Sequence, residues 1–316
     1  MLNRLKKHLI RQLTTLISVG LCAVGMARAE VVVLLPTTGA LAHAAQSIQD
    51  GLNAAYYAAN VRPTLRFVAD DGQPLKSLLK QHINAQTELL IGPLDRQRVA
   101  ELIKLNPRLP VLALNQVETD ASSVWEFALA PEEDAFALEL RIKAEGVSEL
   151  LVLREAGQTN TQRFEQALNQ RWKGIWVEQN QVPAQLLPHQ ALLLLGRPQW
   201  ISQLQGLPKQ RLYTTALAVD PSVILPQHIQ FCDVTALYQP LWPELVKQQQ
   251  QKPVPVGYQR LVAFGADAWQ LAQLMLAQAP SAEFMGRTGQ LQLVGSQIER
   301  TPTCWMQQGQ QLVQLP

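Results

Sequence analysis

Short continuous apolar runs alternate with apolar positions spaced three and four apart along most of this 316-residue chain. That alternation predicts repeated strand–helix units. Val31 to Leu35 reads as a buried strand stopped at Pro36-Thr37-Thr38-Gly39, followed by a helix with Leu41, Ala45, Ile48, Leu52, Ala55 and Ala59 along one face. Leu65 to Val68 is a second strand, closed by Ala69-Asp70-Asp71-Gly72, and Leu75 to Ala85 a second helix. Glu88 to Ile91 runs into Gly92-Pro93-Leu94 and a helix from Gln97 to Leu105, and Pro110 to Leu114 ends at Asn115-Gln116. These units predict one lobe built on a parallel sheet.

After a short strand, Trp125 to Leu129, the sequence Pro131-Glu132-Glu133-Asp134 places proline and acids where a helix start favours them. A second lobe is expected from here. Its strands are Glu149 to Leu153, Gly174 to Val177, Ala191 to Leu195 and Arg211 to Thr214, with helical connections at Thr161 to Trp172 and Trp200 to Leu204. Gln179 to Gln190 reads as an irregular connection. Ile229 to Val234 is a strand between the lobes, and Tyr258 to Gln278 a long amphipathic helix returning to the first lobe. Gly289 to Val294 and Cys304 to Leu315 are expected as strands at the second lobe's edge, and the polar run Gln248 to Gln251 as a helix end. The expected division is 1–29 as a signal peptide, 30–130 as the first lobe with a return segment at about 235–280, and 131–234 with 281–316 as the second.

The amino terminus changes the picture of charge. Arg4, Lys6, Lys7 and Arg11 precede an apolar run from Leu13 to Met26 and the small-x-small sequence Ala27-Arg28-Ala29, the pattern of a cleaved export signal. The run falls short of the ~20 residues that span a bilayer, and no later segment is a better candidate. Cys22 follows Leu21 rather than a small residue, so no lipobox is expected and the mature product is expected in the periplasm, starting near Glu30. The signal holds five of the 27 Lys+Arg and none of the 25 Asp+Glu, which leaves 22 against 25, a net of −3. Without a basic block, nucleic acid and anionic lipid are excluded as expected partners.

Candidate chemistry is sparse. In open α/β sheets ligands bind outside the carboxyl ends of strands, so Thr37, Thr38, Gly39, Gly92, Pro93, Asn115 and Gln116 are candidates for a cleft between the lobes. From the second lobe, Arg154, Glu155 and Arg197 are the charged candidates, and Asp267 could face the cleft from its helix or serve as a capping or surface residue. Cys232 and Cys304 could pair in an oxidising compartment; the alternative is two small buried apolar side chains. No metal-ligand spacing occurs among the cysteines, and no cofactor is expected. Ser77-Leu78-Leu79-Lys80 matches a serine-x-x-lysine pattern but lacks its companion motifs and sits in an amphipathic helix. His43, His82, His189 and His228 stand alone, and Asp70-Asp71 reads as a strand-end turn. A catalytic group is therefore not expected.

Val33-Leu34-Leu35-Pro36-Thr37-Thr38-Gly39, followed by Ile48-Gln49-Asp50-Gly51-Leu52-Asn53-Ala54-Ala55-Tyr56-Tyr57, resembles the opening of type I periplasmic binding proteins. Leu90-Ile91-Gly92-Pro93-Leu94, Leu112-Ala113-Leu114-Asn115 and Phe127-Ala128-Leu129-Ala130-Pro131-Glu132-Glu133 are similar to the carboxy-terminal domain of the penicillin-binding-protein activator LpoA family. So are Arg260 to Trp269 and Gly286-Arg287-Thr288-Gly289-Gln290-Leu291. The resemblance covers residues 31 to 316. It implies an α/β, two-lobed type I periplasmic-binding-protein fold, with parallel sheets flanked by helices and lobes joined by multiple crossovers. It also implies a non-catalytic periplasmic regulator that binds a bifunctional peptidoglycan synthase, a penicillin-binding protein, and stimulates its transpeptidase. Family members are outer-membrane lipoproteins with an amino-terminal helical-repeat domain, and this chain is expected to lack both. The alternative is a solute-binding protein closing on a small polar ligand, an amino acid or muropeptide, for a transporter or receptor.

Overall fold

The computed structural model describes residues 29–117 and 124–316, so residues 1–28 of the expected export signal, Cys22 among them, lie outside the described residues. The first lobe is a five-stranded parallel sheet of β1 (Glu30–Leu35), β2 (Thr64–Ala69), β3 (Thr87–Ile91), β4 (Val111–Ala113) and β5 (Val124–Glu126), in the order β2-β1-β3-β4-β5. Three helices follow its first three strands: α1 (Ala42–Ala58), α2 (Leu75–His82) and α3 (Arg96–Leu105). Val31, Val33 and Leu35 of β1 pack on the α1 side, Val32 and Leu34 against α2 and α3. Covered on both faces, β1 has no solvent side, hence its unbroken apolar run. Asp95 starts α3 by accepting from the backbone N–H of Gln97 at 2.8 Å and Arg98 at 3.2 Å.

The second lobe contains α4 (Pro131–Ala144), β6 (Glu149–Arg154), α5 (Gln162–Arg171), β7 (Ile175–Gln179), β8 (Gln190–Leu195), α6 (Pro198–Gln203), β9 (Leu212–Thr214) and β10 (Ile229–Asp233). Residues 234–242 then lead to α7 (Pro243–Gln251) and α8 (Val256–Leu276), which return to the first lobe. Phe264, Ala266, Ala268 and Trp269 of α8 enter the core made by β1, β3 and α1, with Phe264 stacked on Phe127 at 4.5 Å. Two glycines allow α8 to reach α1. A Cβ on Gly51 would stand 1.8 Å from the Val262 carbonyl oxygen, and one on Gly265 would stand 1.9 Å from that of Ile48. Backbone meets backbone there, where any side chain would hold the helices apart.

The carboxy-terminal strands depart from the sequence reading. Residues 281–301 form an antiparallel sheet of their own, β11 (Ser281–Met285), β12 (Gln290–Val294) and β13 (Gln297–Thr301), with Leu291 in the first lobe's core and Phe284 and Ile298 packed against it. The expectation that Gly289 to Val294 edges the second lobe is thus corrected. Alternation at five-residue length gives each strand one apolar face, and that face fits the first lobe's surface. Cys304 to Leu315 is a hairpin rather than one strand, β14 (Thr303–Gln308) and β15 (Gln311–Gln314), turning at Gly309 with φ 61°. It completes the seven-stranded second sheet, β15-β14-β10-β9-β8-β6-β7, antiparallel only from β10 to β15. Cys232 and Cys304 are direct register partners across β10 and β14, with Cα atoms 3.9 Å apart and sulfurs at bonding distance, 1.97 Å. No helix of the described residues is long and apolar enough to cross a membrane.

Candidate functional site

A cleft of about 970 Å³ opens beyond the carboxyl ends of β4 and β5. The first lobe contributes Asn115 and Gln116, Arg96 at the start of α3, and Glu126 of β5; Glu132 and Arg163 close it from α4 and the start of α5, and Ser296 to Glu299 from the β12–β13 turn. Asn115 is fixed by donating its Nδ2–H to the Leu94 carbonyl at 2.9 Å while its Oδ1 accepts from the Gln116 N–H at 2.9 Å. Glu126 accepts from the Val117 N–H at 3.1 Å, and burial holds its carboxyl above the ordinary carboxylate range. Glu132 and Arg163 meet at 3.0 Å across the mouth. Trp125 ties the β12–β13 turn to β5 by donating its Nε1–H to the Gly295 carbonyl at 2.7 Å.

Of the residues proposed from sequence, only Asn115 and Gln116 line this cleft. Thr37, Thr38 and Gly39 lie exposed at the end of β1, where the Thr37 and Thr38 N–H groups and the Thr37 hydroxyl donate to Asp71; these bonds hold the Asp71 carboxyl below its usual range. Gly92 and Pro93 are buried, joined by a cis peptide bond, with the Gly92 N–H donating to Leu112 and the Pro93 carbonyl accepting from the Leu114 N–H. Their work is to turn the chain beneath the cleft. Arg154 is held by Glu165 and Glu178, and Arg197 donates from its backbone N–H at 2.7 Å and its Nε–H at 2.8 Å to Glu155. Asp267 does not face the cleft. It is fully buried and accepts from the N–H groups of Arg287 and Thr288, both at 2.8 Å, and from the Thr288 hydroxyl at 2.7 Å. A buried carboxylate needs such partners, and these lie in the turn between β11 and β12.

The junction behind the cleft carries two buried ion clusters that the sequence reading missed. Arg300 of β13 donates to Glu133 and Asp134 of α4, both at 2.7 Å. Burial pushes Glu133 up to about 7 against the pull of Arg300, and raises Asp134 as well. Arg260 of α8 donates to both oxygens of Asp233, at 2.8 and 2.6 Å, and to the Ala216 carbonyl at 2.8 Å; Tyr238 donates to Asp233 at 2.5 Å. Glu132 to Asp134 looked like ordinary helix-start acids, and only Arg300, far along the chain, distinguishes the last two. Ser77 and Lys80 are exposed on α2, and the four histidines are dispersed. Among the described residues no group of His, Cys, Asp and Glu could hold a metal ion.

Two parallel-sheet lobes joined by several crossovers, with a cleft at the strand ends, define a type I periplasmic-binding-protein fold. The chain belongs to the family described as LppC putative lipoprotein, whose profile matches residues 7–214. It is similar to the penicillin-binding protein activator LpoA of Escherichia coli strain K12, 35% identical over 96 residues, and to that of Klebsiella pneumoniae, 37% identical over 102 residues. The matched stretches are 30% and 32% of this chain and 14% of each relative, so it aligns with a small part of those proteins. Among solved structures, it resembles the LpoA (YraM) C-domain of Haemophilus influenzae, described as a regulator of PBP1A. The TM-score is 0.74 at 21% identity, covering 91% of this chain and all of that one. A putative branched-chain amino acid ABC transporter from Chromobacterium violaceum gives 0.68 at 21%, covering 89% and 100%. These likenesses agree with the resemblance to the LpoA carboxy-terminal domain read from the sequence.

Proposed function

We propose that this protein works in the periplasm as a non-catalytic partner of a penicillin-binding protein, which it binds and whose transpeptidase it stimulates. Family membership supports this reading, and the likeness in fold to the LpoA C-domain, described as a regulator of PBP1A, over 91% of this chain carries it. Of the charged groups that line the cleft, Glu132 and Arg163 pair with one another, while Arg96, Glu126 and Glu299 have no ion-pair partner among the described residues. Arg96 with Glu126 or Glu299 could meet the carboxylate and ammonium of an amino acid, which is what the alternative reading needs. The exposed turn at Thr37 and the cleft turn at Asn115 then serve as scaffold or as part of the contact surface. The test is to pass residues 30–316 over solubilised envelope proteins and assay transpeptidation with any synthase retained. Retention of a penicillin-binding protein with faster cross-linking is the expected result.

The roomy cleft gives a second reading, a solute-binding protein for a small polar ligand. Saturable thermal stabilisation by amino acids or muropeptides, with no synthase retained, would favour it.

A further inference from the structure

We infer that a second cavity, behind the lobe junction, is a binding site for a neutral saccharide. It measures about 310 Å³ and lies between residues 236–242, α7 and the first turns of α8. Val262 and Ala263 line it, whereas Leu261 and Phe264 of the same helix line the large cleft, so the two cavities lie on different faces of α8. This inference does not depend on the proposed function. Either reading of the cleft leaves this groove without a role.

In a chain with 16% charged residues, none of the described residues lining this groove is charged. The polar side chains are Tyr238 and five glutamines, Gln239, Gln248, Gln249, Gln250 and Gln259, and the rest is apolar, Trp242 included, whose ring has the Arg287 guanidinium 5.9 Å from its centroid. Tyr238 is occupied by its bond to Asp233, Gln239 donates to Gln314 at 2.6 Å, and Gln249 and Gln259 brace the loop at Val254. Gln248 is not occupied in this way: its Nε2 is buried without a partner among the described residues.

Three ligand classes can be weighed against this set. An ion would lose its water and find no counter-charge. A wholly apolar molecule would cover the amides of Gln248 and Gln250 without giving them partners. A neutral sugar ring matches both features, because its hydroxyls pair with the donor and acceptor of a planar amide while its C–H face lies on an aromatic ring. The volume sits near the low end of the ~300–1,000 Å³ range for small-ligand sites, room for about one or two pyranose rings. An occupant would touch both the segment leaving β10 and the helices seated on the first lobe, and so brace the junction.

The test is isothermal titration with the neutral disaccharides N,N′-diacetylchitobiose and maltose, using a uronate-containing disaccharide and a neutral proline-rich peptide as comparators. Saturable binding of a neutral disaccharide is expected, weakened about tenfold or more by Gln248→Leu or Trp242→Ala. Gln248→Leu also separates binding from folding. It removes an unpartnered buried amide, so the variant should melt no lower than the wild type while losing the sugar. Absence of saturable binding by both neutral disaccharides overturns the inference. So does equal binding of the uronate compound, binding of the peptide alone, or unchanged sugar affinity in both variants.

Discussion

Gly51 and Gly265 each sit over a backbone carbonyl of the opposite helix, Gly51 over Val262 and Gly265 over Ile48, so that α1 and α8 touch main chain to main chain. The contact joins a helix of the first hundred residues to one of the last hundred. It seats Trp269 against Tyr56, with ring centroids 5.0 Å apart.

Gly265→Ala should destabilise the protein by about 3 kcal/mol or more, since forcing atoms into a packed interior costs ~1–3 kcal/mol even where neighbours can yield, and here the neighbour is backbone. Denaturant unfolding measures it. A loss below about 1 kcal/mol would show that the helices separate easily.

Asp267→Ala should leave Arg287 beside an empty buried position and cost about 3–5 kcal/mol, as removal of one partner from a buried ion pair does. A residue facing an open cleft would behave differently, with little change in the melting curve. The melt thus separates the observed placement from the one read in sequence.

Glu133 gives a signed dependence on pH. Its folded pKa of about 7 lies above the ordinary 4.5, so between those values the folded chain holds a proton that the unfolded chain has released. This contribution is present in full below pH 4.5 and fades as pH rises towards 7. Relative to Glu133→Gln, the wild type should therefore lose stability over that window, measured by chemical denaturation at several pH values. Parallel profiles for the two proteins would sink the idea.

The Cys232–Cys304 link spans 72 residues. Opening it should lower stability by about 2–5 kcal/mol, with the chain-entropy expression giving ~4 kcal/mol for a loop of this length. Melting with and without reductant, with Cys232→Ser/Cys304→Ser as control, measures the effect. A double variant as stable as the oxidised protein would contradict it.

Much of the fold is legible in sequence because parallel strands buried on both faces are written as unbroken apolar runs, as in Val31 to Leu35 and Ala191 to Leu195. The three strands of 281–301 were harder. Each is short, alternates, and carries Gln or Glu on its exposed side, which reads equally well as loop. The site was less legible than the fold. Asn115 and Gln116 follow from the rule that ligands gather at strand ends, but Arg300, Asp233 and Arg260 matter only through partners distant in sequence. Asp267 was left between the cleft and a capping or surface role for the same reason, since the groups that satisfy it lie 20 and 21 residues away.

The return of α8 to the first lobe has a consequence for biogenesis. Strands β1 to β5 emerge first, yet the face they turn towards α1 is completed by Phe264, Ala268 and Trp269, made after the whole of β6 to β10. The second sheet in turn waits for β14, which carries Cys304 and Trp305. Both cores thus draw on the last quarter of the chain, and neither is filled until α8 and β14 have been made.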